Sequence, residues 1–171
     1  MEADKMEEKI LFTIDKKNYD DSMPLNERFG VRALIKKDDL WAMQRGNEGI
    51  YKIPGGGVEK DETFVEALKR EVLEETGLFV IEDSIEFIGE VQEIREDSFQ
   101  EGYKYIAHSY FYFCDVKDET IELALTENEK KQGYRLEWAE LSDIIETNER
   151  LMTEQWTCRD TMFLKWLRDR I

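Results

Sequence analysis

Residues 56–78, GGVEKDETFVEALKREVLEETGL, constrain this chain more than any other stretch. They follow Pro54 and Gly55, so three glycines in a row enter a helical pattern. Such a run predicts an irregular loop whose bare backbone a ligand can approach closely. Thr63 with Glu66 three residues on is a capping box, which predicts that a helix starts there. Gly77 stands where a left-handed residue closes a helix. Val65, Leu68 and Val72 form an apolar stripe that would seat the helix on a core, leaving its polar face at a cleft edge.

That polar face carries Glu71, Glu74 and Glu75. At about 100° per residue the three fall within a third of the helix circumference, so their carboxylates converge. Like charges at i, i+3 and i+4 repel by a few tenths of a kcal/mol, and the helix C-terminus is itself negative. Two readings follow. Glutamate is a good helix former and could simply solvate an outer face in a chain with 40 acidic residues. Alternatively, a divalent cation gathers the three anions.

Gly56, Glu62, Arg70-Glu71-Val72, Glu74-Glu75 and Gly77-Leu78 together resemble the Nudix box, with every fixed position filled. The resemblance implies the Nudix hydrolase fold and metal-dependent attack of water on a diphosphate linkage. It implies Glu71, Glu74, Glu75 and the Gly56 carbonyl as metal ligands. It also makes one glutamate the general base, Glu71 first, with Arg70 orienting it while pairing with Glu62. A diphosphate would be repelled by bare carboxylates, and a hard cation held by oxygen ligands reverses that sign. Oxygen-only ligation points to Mg²⁺, with Mn²⁺ as the substitute, rather than zinc. Gly55 and Gly57 would present backbone to the substrate.

The formal net charge is −16, which should repel duplex nucleic acid and makes a small nucleotide the expected partner. No run of about 18 apolar residues predicts a membrane helix. The N-terminus, MEADKMEEK, lacks the form of a signal peptide, so a cytoplasmic location is expected. Oligomeric state stays open, a homodimer included. Cys114 and Cys158, without C-x-x-C spacing, read as core cysteines.

Strands are expected at 10–14, 30–36, 40–44, 50–53, 78–81, 86–96, 103–116 and 134–139. A short helix is expected at 141–147, and Trp156, Phe163, Leu164, Trp166 and Leu167 mark an amphipathic final helix. The expected fold class is α/β (α+β), a mixed β-sheet sandwiched between helices. Residues 1–9 are expected to be frayed and 10–171 to form a single Nudix domain.

Arg45, ending a strand before the glycine loop, could touch a phosphate or lie in a solvated loop. His108 reads as a packed strand residue or a contact lining the cleft. By resemblance an extra acidic ligand or base belongs near Glu127 and Glu129, in an expected loop; Glu129 is the first choice. With Pro24 and Pro54 the only prolines, the downstream proline motifs of ADP-ribose and NADH hydrolysis are missing. That favours a non-canonical or damaged nucleoside triphosphate as substrate, followed by a nucleotide sugar. A non-catalytic nucleotide-sensing domain is the remaining reading.

Overall fold

The computed structural model describes residues 9–152 and 155–171, with backbone alone at 155–157. The expectation of a frayed terminus concerns residues that, apart from Lys9, lie outside those described, as does the side chain of Trp156.

Four strands build most of one mixed sheet. These are β1 (Ile10–Asp15), β2 (Leu25–Leu34), β8 (Glu86–Glu96) and β9 (Lys104–Phe113). The short strand β6 (Gly55–Gly57) completes it, in the order β1-β8-β9-β2-β6. β1 runs parallel to β8 and β2 parallel to β9, while β8–β9 and β2–β6 are antiparallel. A second, antiparallel sheet joins β3 (Lys36–Lys37), β4 (Leu40–Arg45), β5 (Tyr51–Lys52) and β11 (Arg135–Glu140). β7 (Leu78–Val80) pairs with β10 (Val116–Thr120).

Helices cover both faces of the main sheet. Helix α1 (Phe64–Thr76) buries Ala67, Leu68 and Val72 against Val31, Ala33 and Tyr112. On the opposite face α3 (Leu141–Leu151) and α4 (Gln155–Arg168) bury Ile144, Phe163 and Leu164 against Leu34, Val91 and Phe111. Phe111 and Phe163 stack with centroids 3.8 Å apart. Neighbouring residues of β2 and β9 therefore feed different cores, as a sheet sandwiched between helices requires. Cys114 is buried, whereas Cys158 is only partly so.

Several expectations are corrected. The glycine run is a strand: residues 55–57 pair with Gly30, Val31 and Arg32. Sheet hydrogen bonding overrides local preference there, and Ala33 N–H to Pro54 O at 2.8 Å extends it. β2 starts at Leu25, five residues before the expected 30, and pairs with β9 over its whole length. Its polar first half hid it, because that half lies along a cleft rather than in the core. The expected strand 103–116 ends at Phe113, and the Asp115 N–H bonds to Ser84 Oγ as the chain turns toward β7. α3 runs on to Leu151, past the expected 147.

The expected loop around Glu127 and Glu129 is a helix, α2 (Glu127–Lys131). Thr126 and Glu129 form the same reciprocal capping box that starts α1.

Candidate active site

Local capping positions the box helix. Thr63 N–H bonds to Glu66 Oε2 at 2.9 Å, and Glu66 N–H returns to Thr63 Oγ1 at 3.1 Å. At the other end Gly77 is left-handed, with φ 72°. The helix thus faces β6 with its carboxylates toward the glycine strand.

Contact there is close. A Cβ on Gly56 would stand 2.5 Å from Glu71 Oε1, so the carboxylate lies against bare backbone. A Cβ on Gly55, at φ 148°, would stand 1.9 Å from Val31 O. The Gly55 N–H donates to Glu75 Oε2 at 2.9 Å. Glu75 is buried rather than at the cleft edge. Burial pushes its carboxyl up to about 8, with the Glu71 charge adding and Lys52 and the Gly55 N–H opposing.

Arg70 ties the cluster together. Its Nε and Nη2 donate to both oxygens of Glu62, at 2.7 and 2.9 Å, a fork-to-fork pair. Nη1 donates to Glu71 Oε1 at 2.8 Å and to Glu74 Oε2 at 3.4 Å, and Nη2 also reaches Gly57 O at 3.1 Å. The Glu62 bond, then that of Glu71, raises the Arg70 pKa, and Arg70 in turn lowers that of Glu62. Burial raises the Glu74 pKa, partly offset by Arg70.

The donors fit a hard divalent cation in kind. Carboxylate oxygens and a glycine backbone meet in a cradle that any side chain at position 56 would fill. Among the described residues, however, no three acidic, His or Cys side chains are gathered as a finished cage. Arg70 Nη1 supplies the positive charge between Glu71 and Glu74.

Other expected residues are placed elsewhere. Arg45 donates to Glu137 at 3.2 Å and to Gly49 O at 3.0 Å, over the ring of Tyr51, so its donors are already committed within the second sheet. Glu129 Oε1 accepts the Thr126 N–H at 3.0 Å and serves as a helix cap. Neither is brought into the box cluster. His108 is packed, stacked on Phe29 with centroids 4.6 Å apart; Nε2 contacts Glu27 at 2.7 Å and Nδ1 contacts Glu90.

The structure also shows a cleft of about 490 Å³ on the sheet face opposite α1, with Gly57 at its margin. Arg28, Arg32, Arg95 and Arg159 line it, and sequence reading singled out none of them. The available signal was the even spacing of Arg28, Gly30 and Arg32, which puts all three on one face of a strand.

The NUDIX domain model matches residues 26–159, most of the chain and the whole of the cluster just described. The protein belongs to the Nudix family. Curated relatives match over shorter stretches. An RNA pyrophosphohydrolase of Halorhodospira halophila is 46% identical over 54 residues, 30% of this chain and 29% of that protein. An 8-oxo-dGTP diphosphatase of Buchnera aphidicola is 41% identical over 51 residues, covering 30% and 41%. An ADP-ribose pyrophosphatase of Methanocaldococcus jannaschii is 39% identical over 74 residues, covering 41% and 43%. The chain therefore spans less than half the length of these relatives.

Solved structures extend the likeness of fold. A Nudix hydrolase from Nitrosomonas europaea superposes with a TM-score of 0.59 at 20% identity, covering 83% of this chain and 90% of that one. A MutT protein from Bacillus halodurans gives 0.52 at 19% identity, covering 81% and 80%. Among the described residues no helix is long and apolar enough to cross a membrane.

Proposed function

We propose that this Nudix protein is a Mg²⁺-dependent pyrophosphohydrolase of small nucleoside diphosphate derivatives, with a non-canonical or damaged nucleoside triphosphate as the first candidate substrate. One observation carries the reading: Arg70 clamps Glu62 and Glu71 while Glu71 lies against Gly56 and Glu74 stands beside them. In this reading residues 10–171 act as one domain.

Glu71, Glu74, Glu75 and the Gly56 carbonyl would hold the cation, with Mn²⁺ as a substitute. Bound there, a divalent ion neutralises charge on the phosphate oxygens and favours ionisation of water. Glu71, oriented by Arg70, accepts a proton from the attacking water. The water oxygen bonds to phosphorus as the bridging P–O bond breaks, and the leaving phosphate keeps the electron pair. Arg70 acts through Glu71 and is a positioning residue, since its guanidinium is turned to carboxylates and a carbonyl.

The test is release of phosphate, pyrophosphate or nucleoside monophosphate from a mixed panel, with and without Mg²⁺. The panel should hold canonical and oxidised triphosphates, nucleotide sugars and dinucleotides. Turnover of at least one compound, dependent on the metal, is expected. Silence across the panel in Mg²⁺ would leave the nucleotide-sensing reading in its place.

A further inference from the structure

The cleft beside Gly57 has the wrong charge for this protein. Five basic side chains line it against two acidic ones, Glu93 and Glu96, in a chain of net charge −16. One acid is already used, because Glu93 pairs with the buried Arg159 at 3.4 Å and Asp160 adds a second contact at 2.9 Å. Two guanidiniums on β2 are left over. Among the described residues Arg28 has no hydrogen-bond or ion-pair partner. Among the same residues Arg32 reaches only its neighbour's carbonyl, Val31 O, at 3.3 Å, and its Nε is shut off from solvent with no partner. Burial and the nearby Arg159 lower the Arg32 pKa to about 10, which still leaves it cationic at neutral pH.

Geometry joins these groups to the box. Gly30 lies between Arg28 and Arg32 on the same strand face, and Ala107 and Ser109 sit across from Arg28 and Gly30 on β9. The floor between the guanidiniums is therefore made of small residues and is open to a ligand. A Cβ on Gly57 would stand 3.0 Å from Arg28 Nη2, so Arg28 borders the glycine strand on the side away from Glu71. A ligand whose diphosphate lies on that strand can extend directly into the cleft. An orphaned, desolvated cationic donor is costly unless a ligand satisfies it. A neutral base or sugar would leave Arg28 without an ion pair among the described residues, and Arg32 with the charges of Asp160, Glu75 and Glu71 nearby but no carboxylate bonded to it.

We propose that the cleft holds the part of the substrate beyond the scissile diphosphate, and that this part carries its own oxyanion, gripped by Arg28 and Arg32. The proposal rests on the reading that the box holds a diphosphate. It narrows the substrate class to diphosphates with a further anionic group: a third phosphate in line, a phosphomonoester on a sugar, or a carboxylate.

Three matched pairs distinguish these sources: ATP against ADP, NADPH against NADH, and UDP-glucuronate against UDP-glucose. Binding is measured by calorimetry in Mg²⁺ on the full chain carrying Glu71→Gln, and kcat/KM on the wild type. The anionic member of at least one pair should bind about tenfold tighter or more, the range for charge-assisted hydrogen bonds. The net charge of the protein works against that preference, so it reports the local groups. Adding Arg28→Gln should shrink the ratio to within about threefold. Arg28 is exposed, so its loss does not threaten the fold; Arg32→Lys, which keeps charge but loses the fork, should shrink the ratio partially.

Equal affinity within all three pairs overturns the proposal, as does no binding of any compound or a preference that survives Arg28→Gln. Failure of the catalytic reading looks different: no hydrolysis by the wild type, with the binding preference intact.

Discussion

The box cluster and the cleft flank the same glycine strand with opposite charge. On one side Glu62, Glu71 and Glu74 surround a single guanidinium, Arg70, with Glu75 buried beside them on the Gly55 N–H. On the other, among the described residues neither Arg28 nor Arg32 makes an ion pair, although Asp160 and Glu75 lie near enough to act on Arg32. The acidic side comes from one segment, 62–75, while the basic side draws on β2, β8, β9, the β8–β9 turn, α4 and the segment after β1. A net charge of −16 describes neither. Field at a site follows from which residues the fold brings together, and a strongly acidic chain can still present a cationic pocket to an anionic ligand.

The largest expected effect is on the acidic side. EDTA should abolish hydrolysis and Mg²⁺ or Mn²⁺ restore it, measured as product release on the best substrate of the panel. Turnover that persists after thorough chelation would break the assignment of this side to a cation. Glu74→Gln comes next, with a rate loss on the order of 10²-fold or more and an EDTA melting temperature unchanged or slightly raised. The gain is expected because Glu74 faces the Glu71 charge and is penalised by burial. A mutant that unfolds in EDTA would assign Glu74 to structure instead.

Adjacent glycines separate the two sides further. Gly56→Ala meets the tip of a flexible carboxylate, 2.5 Å from Glu71 Oε1, so the side chain is displaced. Activity should fall by about tenfold or more with a stability change under about 1 kcal/mol. Gly55→Ala meets backbone, 1.9 Å from Val31 O at φ 148°, and should cost about 2 kcal/mol or more in a urea melt. Reversal of that pattern would mean that Gly56 supports the fold rather than the site.

The smallest effect comes from a group on neither side. Burial pushes the Cys114 thiol up to about 12, whereas an unfolded thiol ionises near ~8.5. The folded pKa is the higher one, so the protein is not penalised by this group below the unfolded value. Above it, unfolding releases a proton and stability falls by at most about 1.4 kcal/mol per pH unit. Melts at several pH values between ~8.5 and ~10 should show a shallower decline for Cys114→Ala than for the wild type. Equal slopes would mean that the thiol is not held protonated.

Much of the acidic side was legible in order along the chain. Thr63, Glu66 and Gly77 mark the ends of α1, and Glu71, Glu74 and Glu75 share its face by helical period alone. The same capping pattern at Thr126 and Glu129 was equally readable, yet a carboxylate sought for catalysis turned out to cap a five-residue helix. Glu75 shows a different limit. Helical period places it on the polar face, and only packing against β6 decides that it is buried with a pKa of about 8.

By itself the sequence determined a helix with its caps, the shared helix face of three glutamates, a core on both faces of a mixed sheet, and the family. Those features depend on residues a few positions apart, whose relative placement follows from the 3.6 and 2.0 periods of regular backbone. The tertiary structure decided that the glycine run is a strand, that Arg45 is spent on Glu137, and that Arg28 and Arg32 share a cleft with Arg159. Each of those depends on pairing between segments far apart in the chain, such as Gly30 with Gly57 or Arg28 with Ala107. Register across a sheet is set by the packing of both faces at once, and no local period encodes it.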